Sequence, residues 1–132
     1  MELVVDTSVI IAVLTSEAER AVLVERTRGL DLVAPASIHW EVGNAFTAML
    51  KRRRITLAEI EQALDAYEKI PLRLLPVDLT AALKLAAKHN LYAYDAYVIL
   101  CATSQRCELL TLDGGLARAA STAGVKLAEL EQ

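Results

Sequence analysis

The 132-residue sequence is short of the residues that build special-purpose scaffolds. It has two cysteines, two histidines, three prolines, five glycines and a single tryptophan, and aromatic residues make up only 5%. Cys101 and Cys107 match neither a zinc-ligand spacing nor a redox Cys-x-x-Cys, so they read as two reduced thiols. Neither histidine pairs with a plausible serine or cysteine nucleophile, which argues against a histidine-based nuclease. His89 reads as a helix-end residue compatible with the dipole, and His39 as ordinary packing or surface. The longest uninterrupted apolar run, residues 96–102, falls far short of the roughly 18–20 residues that a helix needs to cross a bilayer. The start, Met1-Glu2-Leu3-Val4-Val5-Asp6, has neither the basic stretch nor the cleavage site of a signal peptide. These absences predict a cytoplasmic protein with no disulfide and no membrane segment.

What is present is a greasy, mildly acidic chain. Apolar residues reach 55% and charged ones 23%, a balance typical of a folded domain and not of a disordered tail. The length suits one domain, residues 1–132, with a core that needs no staple. A mean hydropathy of +0.35 leaves apolar surface for a subunit contact, such as a homodimer. Seventeen acids stand against fourteen bases, for a net charge of −3. Setting aside four acids singled out below leaves 13 against 14, or +1. That argues against a nucleic-acid coat protein, but not against a local contact with RNA.

Short β-branched runs alternate with longer helical stretches, the pattern of an α/β fold with a mainly parallel sheet. Strands are predicted at 3–5, 32–34, 72–76, 109–112 and 125–127. Helices are predicted at 7–15, 17–28, 37–53, 56–69, 79–89, 94–106 and 116–123. Gly29 and Gly124 stand as helix stops, and Asn90 suits a left-handed cap. Thr56 with Glu59 three residues on is a capping-box pattern.

Four acids stand out against this frame. Asp6 ends the first strand, where ligands bind in open parallel sheets, although Asp-Thr-Ser is also good capping chemistry. Glu41 lies at the edge of the apolar stripe formed by Ile38, Val42, Ala45, Phe46 and Met49, a position that a solvated glutamate also takes. Asn44, one turn on, could support it. Asp95 is the only charged residue from Asn90 to Gln105; in so apolar a helix it needs a partner, or the helix N-terminus itself. Asp113 ends the fourth predicted strand ahead of Gly114-Gly115, and Asp-Gly is equally a common turn pair.

Brought to one cleft, these carboxylates require a counter-charge. At ~5 Å and an effective dielectric of ~20 each pair repels by roughly 3 kcal/mol, which sums to on the order of 20 kcal/mol over all pairs. That exceeds the stability of a domain, so protons or a divalent cation must offset it. All-oxygen ligation suits Mg²⁺ or Mn²⁺ and not zinc.

At these residues the chain resembles the PIN domains, in particular the VapC-like toxins of prokaryotic toxin–antitoxin pairs. The matching segments are Val4-Val5-Asp6-Thr7-Ser8, Glu41-Val42-Gly43-Asn44, Tyr94-Asp95-Ala96 and Leu110-Thr111-Leu112-Asp113, in order over essentially the whole length. The resemblance implies a three-layer fold whose five-stranded sheet has the order 3-2-1-4-5, flanked by about seven helices. It also implies an acidic metal site of Asp6, Glu41, Asp95 and Asp113, with Ser8 and Thr111 as hydroxyl helpers. The implied activity is metal-dependent cleavage of single-stranded RNA, leaving 3′-hydroxyl and 5′-phosphate ends. Expected partners are an RNA substrate, a cognate antitoxin and a second copy of the chain. Gly114-Gly115 departs from the family, many of whose members carry a larger polar or acidic residue there.

Other features admit two readings. Lys51-Arg52-Arg53-Arg54 is either a solvated helix end that suits the macrodipole or a patch, through Arg52 and Arg53, for RNA phosphates or an acidic antitoxin segment. Trp40 with Tyr92, Tyr94 and Tyr97 could stack on bases, although core and dimer packing is the commoner fate. A haloacid-dehalogenase phosphatase would need an aspartate where this chain has Ser8. A non-catalytic module of the same fold, or a PIN nuclease that is not a toxin, are the rival readings.

Overall fold

The computed structural model describes residues 1–15 and 18–130. The chain runs β1 (Glu2–Val5), α1 (Thr7–Leu14), α2 (Arg20–Thr27), β2 (Asp31–Pro35), α3 (Ile38–Lys51), α4 (Leu57–Glu68), β3 (Leu72–Leu75), α5 (Leu79–His89), α6 (Ala93–Gln105), β4 (Glu108–Leu110) and α7 (Gly114–Thr122). The predicted start of the second helix, at Glu17, lies outside the described residues.

Every strand pair is parallel and the order is β3-β2-β1-β4. Alternation along the strands builds two cores, because successive side chains point to opposite faces. Leu3, Val5, Ala34 and Leu110 join α1, α2, α3 and α4 residues such as Ile10, Leu23, Phe46 and Ile60 on one face. Val4, Val33 and Leu109 join Val98, Ile99, Leu116 and Ala120 of α6 and α7 on the other. β1, β2 and β4 are covered on both faces and apolar at their centres, as in a parallel sheet, whereas the edge strand β3 carries the exposed Arg73.

Helix ends follow local chemistry. Thr56 and Glu59 form the capping box in both directions at the start of α4. Asn90 closes α5 in the left-handed region (φ 55°), and Gly124 follows α7 at φ 89°.

The sheet differs from expectation at one edge: four strands form, and the fifth does not. Residues 125–127 contribute an isolated parallel bridge, Leu109 to Leu127. The Leu109 N–H donates to Lys126 (3.1 Å) and the Ala128 N–H to Leu109 (2.8 Å), so pairing with β4 is confined to that one residue. β4 itself stops at Leu110, two residues before its predicted end. The N–H groups of Leu112 and Asp113 turn instead to the hydroxyls of Ser8 and Thr111. α7 starts two residues earlier than expected, so Gly114-Gly115 opens a helix and does not make a turn.

Candidate metal centre

β1 and β4 lie side by side, with Val5 in register with Leu110. The chain crosses from one side of β1 to the other between β3 and β4, so their carboxyl ends flank the crevice where open α/β sheets hold ligands. Asp6 and Thr111 are the next residues on each strand.

Asp6 occupies the N-cap position of α1 with extended backbone, yet its side chain makes no capping hydrogen bond. It is 6% exposed, and it is the sole buried polar or charged residue among the described residues. Its Oδ1 accepts from Ser8 Oγ at 2.7 Å. Ser8 Oγ accepts in turn from the N–H of Leu112 (2.9 Å) and lies 3.3 Å from Thr111 Oγ1. With the one Ser8 proton committed to Asp6, Thr111 is the donor toward this pair. Thr111 Oγ1 also accepts from the N–H of Asp113 (3.0 Å). Two short hydroxyl side chains thus join the β1–α1 junction to the β4–α7 junction. Burial pushes the Asp6 carboxyl above its ordinary 3.8, and the Ser8 and Thr111 hydroxyls, with smaller help from the N–H groups of Val9 and Ser8, pull back only part of the way.

Glu41 stands in the first turn of α3. Its Oε1 accepts from Thr7 Oγ1 (3.3 Å) and its Oε2 from Ser37 Oγ (3.1 Å). Burial raises its pKa most, and the charges of Asp6 and Asp95 raise it further. Asn44, expected to support Glu41, is exposed and is not among its hydrogen-bond partners. The sequence reading missed Thr7 and Ser37. Ser37 precedes Glu41 by four residues, one helical turn, and that spacing was the available signal.

Asp95 lies in the first turn of α6. Burial raises its pKa, and the charge of Asp113 adds to the effect. Asp113 N-caps α7, with Oδ1 accepting from the N–H groups of Gly115 (2.9 Å) and Leu116 (3.2 Å). The charges therefore interact in sequence: Asp6 with Glu41, Glu41 with Asp95, and Asp95 with Asp113.

Among the described residues no three His, Cys, Asp or Glu side chains close into a metal cage. The rim is an open row of oxygen donors. That fits Mg²⁺, which keeps several waters and is held by one or two carboxylates together with substrate phosphates. The donor set is all oxygen, which disfavours zinc.

Other candidate residues fall elsewhere. Arg52 and Arg53 follow the last turn of α3, roughly 15 Å along the helix axis from Glu41 at 1.5 Å per residue. Trp40 (72% exposed), Tyr92 (89%) and Tyr94 (53%) are not core residues. Trp40 instead packs edge-on to His39, and Tyr94 to Tyr97. No helix among the described residues is long and apolar enough to cross a membrane.

A family model described as PIN domain matches residues 3–121. No curated protein matches the sequence significantly. Among solved structures, the chain is similar to PAE2754 from Pyrobaculum aerophilum, with a TM-score of 0.71 and 22% identity, over 90% of this chain and 86% of that one. It is also similar to FitAcB from Neisseria gonorrhoeae, with a TM-score of 0.66 and 18% identity, over 97% of each chain. At such identities these two likenesses establish the fold.

Proposed function

The chain belongs to the PIN-domain family, whose members are generally metal-dependent nucleases, and on that premise we propose that it is a Mg²⁺- or Mn²⁺-dependent endoribonuclease acting on single-stranded RNA. One observation carries this reading: burial raises the pKa of three carboxyls, Asp6, Glu41 and Asp95, and neighbouring acids raise Glu41 and Asp95 further. Protons or a divalent cation must offset such a row, and a cluster of acids with raised pKa values is what a metal-holding site presents when empty.

Asp6 and Asp95 are assigned as direct holders of the ion, with Glu41 and Asp113 holding it directly or through water. A bound divalent ion at this rim supplies a water of lowered pKa and neutralises charge on the phosphate. The protein supplies orientation. Ser8 fixes one Asp6 oxygen, while Thr7 and Ser37 hold both oxygens of Glu41. In-line displacement by water breaks the bond between phosphorus and the 3′ oxygen and leaves 3′-hydroxyl and 5′-phosphate ends.

In the cell the chain serves as the toxin of a toxin–antitoxin pair, with a cognate antitoxin and a second copy of itself as protein partners. Leu79 and Leu83, both exposed on α5, support an apolar contact, and Arg52 and Arg53 offer charge for an acidic antitoxin segment. The test is a digest of unstructured RNA with Mg²⁺ or Mn²⁺ and with chelator, comparing wild type and Asp6→Asn with the cut ends mapped. Cleavage that survives chelation, or that Asp6→Asn leaves intact, overturns the reading. A chain that binds RNA without cutting it, and gains no thermal stability from metal, is a binding module.

A further inference from the structure

α7 opens beside the acidic rim with two residues that have no side chain, Gly114 and Gly115. The space above them is used. A Cβ on Gly114 would meet Nη1 of Arg118 at 3.3 Å, and one on Gly115 would lie 4.0 Å from Nη2. The Arg118 guanidinium therefore folds back one turn, across bare backbone, toward the helix end that Asp113 caps. Helical side chains lean toward the N-terminus, so an arginine in this position reaches that end.

Helix stability does not explain the placement. A cation near a helix N-terminus opposes the macrodipole. Among the described residues Arg118 forms no ion pair, although Asp113 stands at the same helix end with its Oδ1 already capping. A permanently charged fork thus lies exposed next to a row of carboxylates that by itself repels RNA. We propose that Arg118 is a phosphate-binding residue of this site, and that Gly114-Gly115 gives its guanidinium room to lie back over the start of α7. The inference rests on the reading of the rim as the place where RNA is held.

The test is equilibrium binding of an oligouridylate to wild type and Arg118→Ala, with metal chelated and salt varied. Arg118→Ala is expected to weaken binding about tenfold, the scale of one lost charged hydrogen bond. It is also expected to flatten the slope of log affinity against log salt by about 0.7, the single-strand value for one phosphate contact. Arg118→Lys keeps the slope and regains part of the affinity, because the charge stays and the fork is lost. Arg118→Gln replaces the alanine variant if that one melts early. An unchanged slope in the uncharged variants overturns the inference, and so does a wild type that binds no RNA at low salt. The two readings fail separately. Wild type that binds through Arg118 but never cleaves with metal sinks the nuclease and keeps this contact, whereas wild type that cleaves while Arg118→Ala keeps affinity and slope does the reverse.

Discussion

Asp6 and Asp113 occupy the same place in two adjacent strand–helix units, yet they do opposite work. Each follows a parallel strand and sits at the N-cap of the next helix. Asp113 is exposed and spends Oδ1 on two backbone N–H groups of α7. Asp6 is buried, leaves α1 without a side-chain cap, and takes its hydrogen bond from Ser8 instead. Capping secures a helix end and typically contributes about 1 kcal/mol. Burying a carboxylate with its charge poorly compensated costs stability. The β1–α1 junction therefore holds its helix end weakly, through Val9 and Ser8 N–H groups that act on Asp6 less than the Ser8 and Thr111 hydroxyls do, whereas the β4–α7 junction has a full cap. A local cost of this kind is what a functional site is expected to carry.

Substituting each aspartate separates the two. Asp6→Asn is expected to lower metal-dependent cleavage by about 10²–10⁴-fold, the range for losing a positioned catalytic group. Its stability at neutral pH without metal should be equal to wild type or higher, because a disfavoured charge is gone. Asp113→Ala should also lose activity, but with a cost of about 1 kcal/mol in stability from the lost cap. Asp113→Asn should keep most of that stability, since asparagine caps as well as aspartate does. Urea melts of the three variants check the signs. Equal destabilisation by Asp6→Asn and Asp113→Ala would collapse the distinction between the junctions.

The same contrast marks what the sequence allowed one to read. The parallel α/β class and the placement of Asp6 and Asp113 after strands were legible, because apolar periodicity and strand ends are local patterns. The strand order followed only from the resemblance to the PIN domains. The dual readings of Asp6 and Asp113 were not separable in sequence. Asp-Thr-Ser looks like a good cap and Asp-Gly-Gly like a turn, yet the Asp6 side chain makes no cap hydrogen bond and Asp113 caps α7. Register decided it: Val5 beside Leu110 brings Ser8 within reach of both Asp6 and Leu112, a contact across 104 positions of chain.

A smaller effect distinguishes the buried acid from the exposed one by pH. The carboxyls of Asp6 and Asp95 are raised above 3.8, and that of Glu41 above 4.5. Between those ordinary values and the raised ones, the folded chain holds more protons than the unfolded chain. Stability therefore falls as pH climbs through this window. The contribution is fully present below the ordinary values and lost above the raised ones. Thermal melts in chelator, taken as wild type minus Asp6→Asn across pH, should show this fall, and saturating Mg²⁺ should flatten it. A difference that rises with pH in chelator would mean Asp6 is stabilised as an anion by the protein alone.

The smallest effect concerns the hydroxyls that hold Glu41. Ser37 and Thr7 donate to its two oxygens and lower its pKa against burial and the charges of Asp6 and Asp95. Ser37→Ala removes one donor near a half-buried carboxylate, so the proton is held more tightly. The acid limb of the pH–rate profile should then move upward by a fraction of a unit, with the plateau rate changed less than threefold or so, as suits a group that orients and does not react. Thr7→Val should move it the same way and by less, since its hydrogen bond is the longer of the two, 3.3 Å against 3.1 Å. A comparable substitution at Thr111 would act on Asp6 and leave Glu41 alone. A limb that moves downward in Ser37→Ala would mean that Ser37 accepts from a protonated Glu41 during turnover, which would make Glu41 the group that carries the proton.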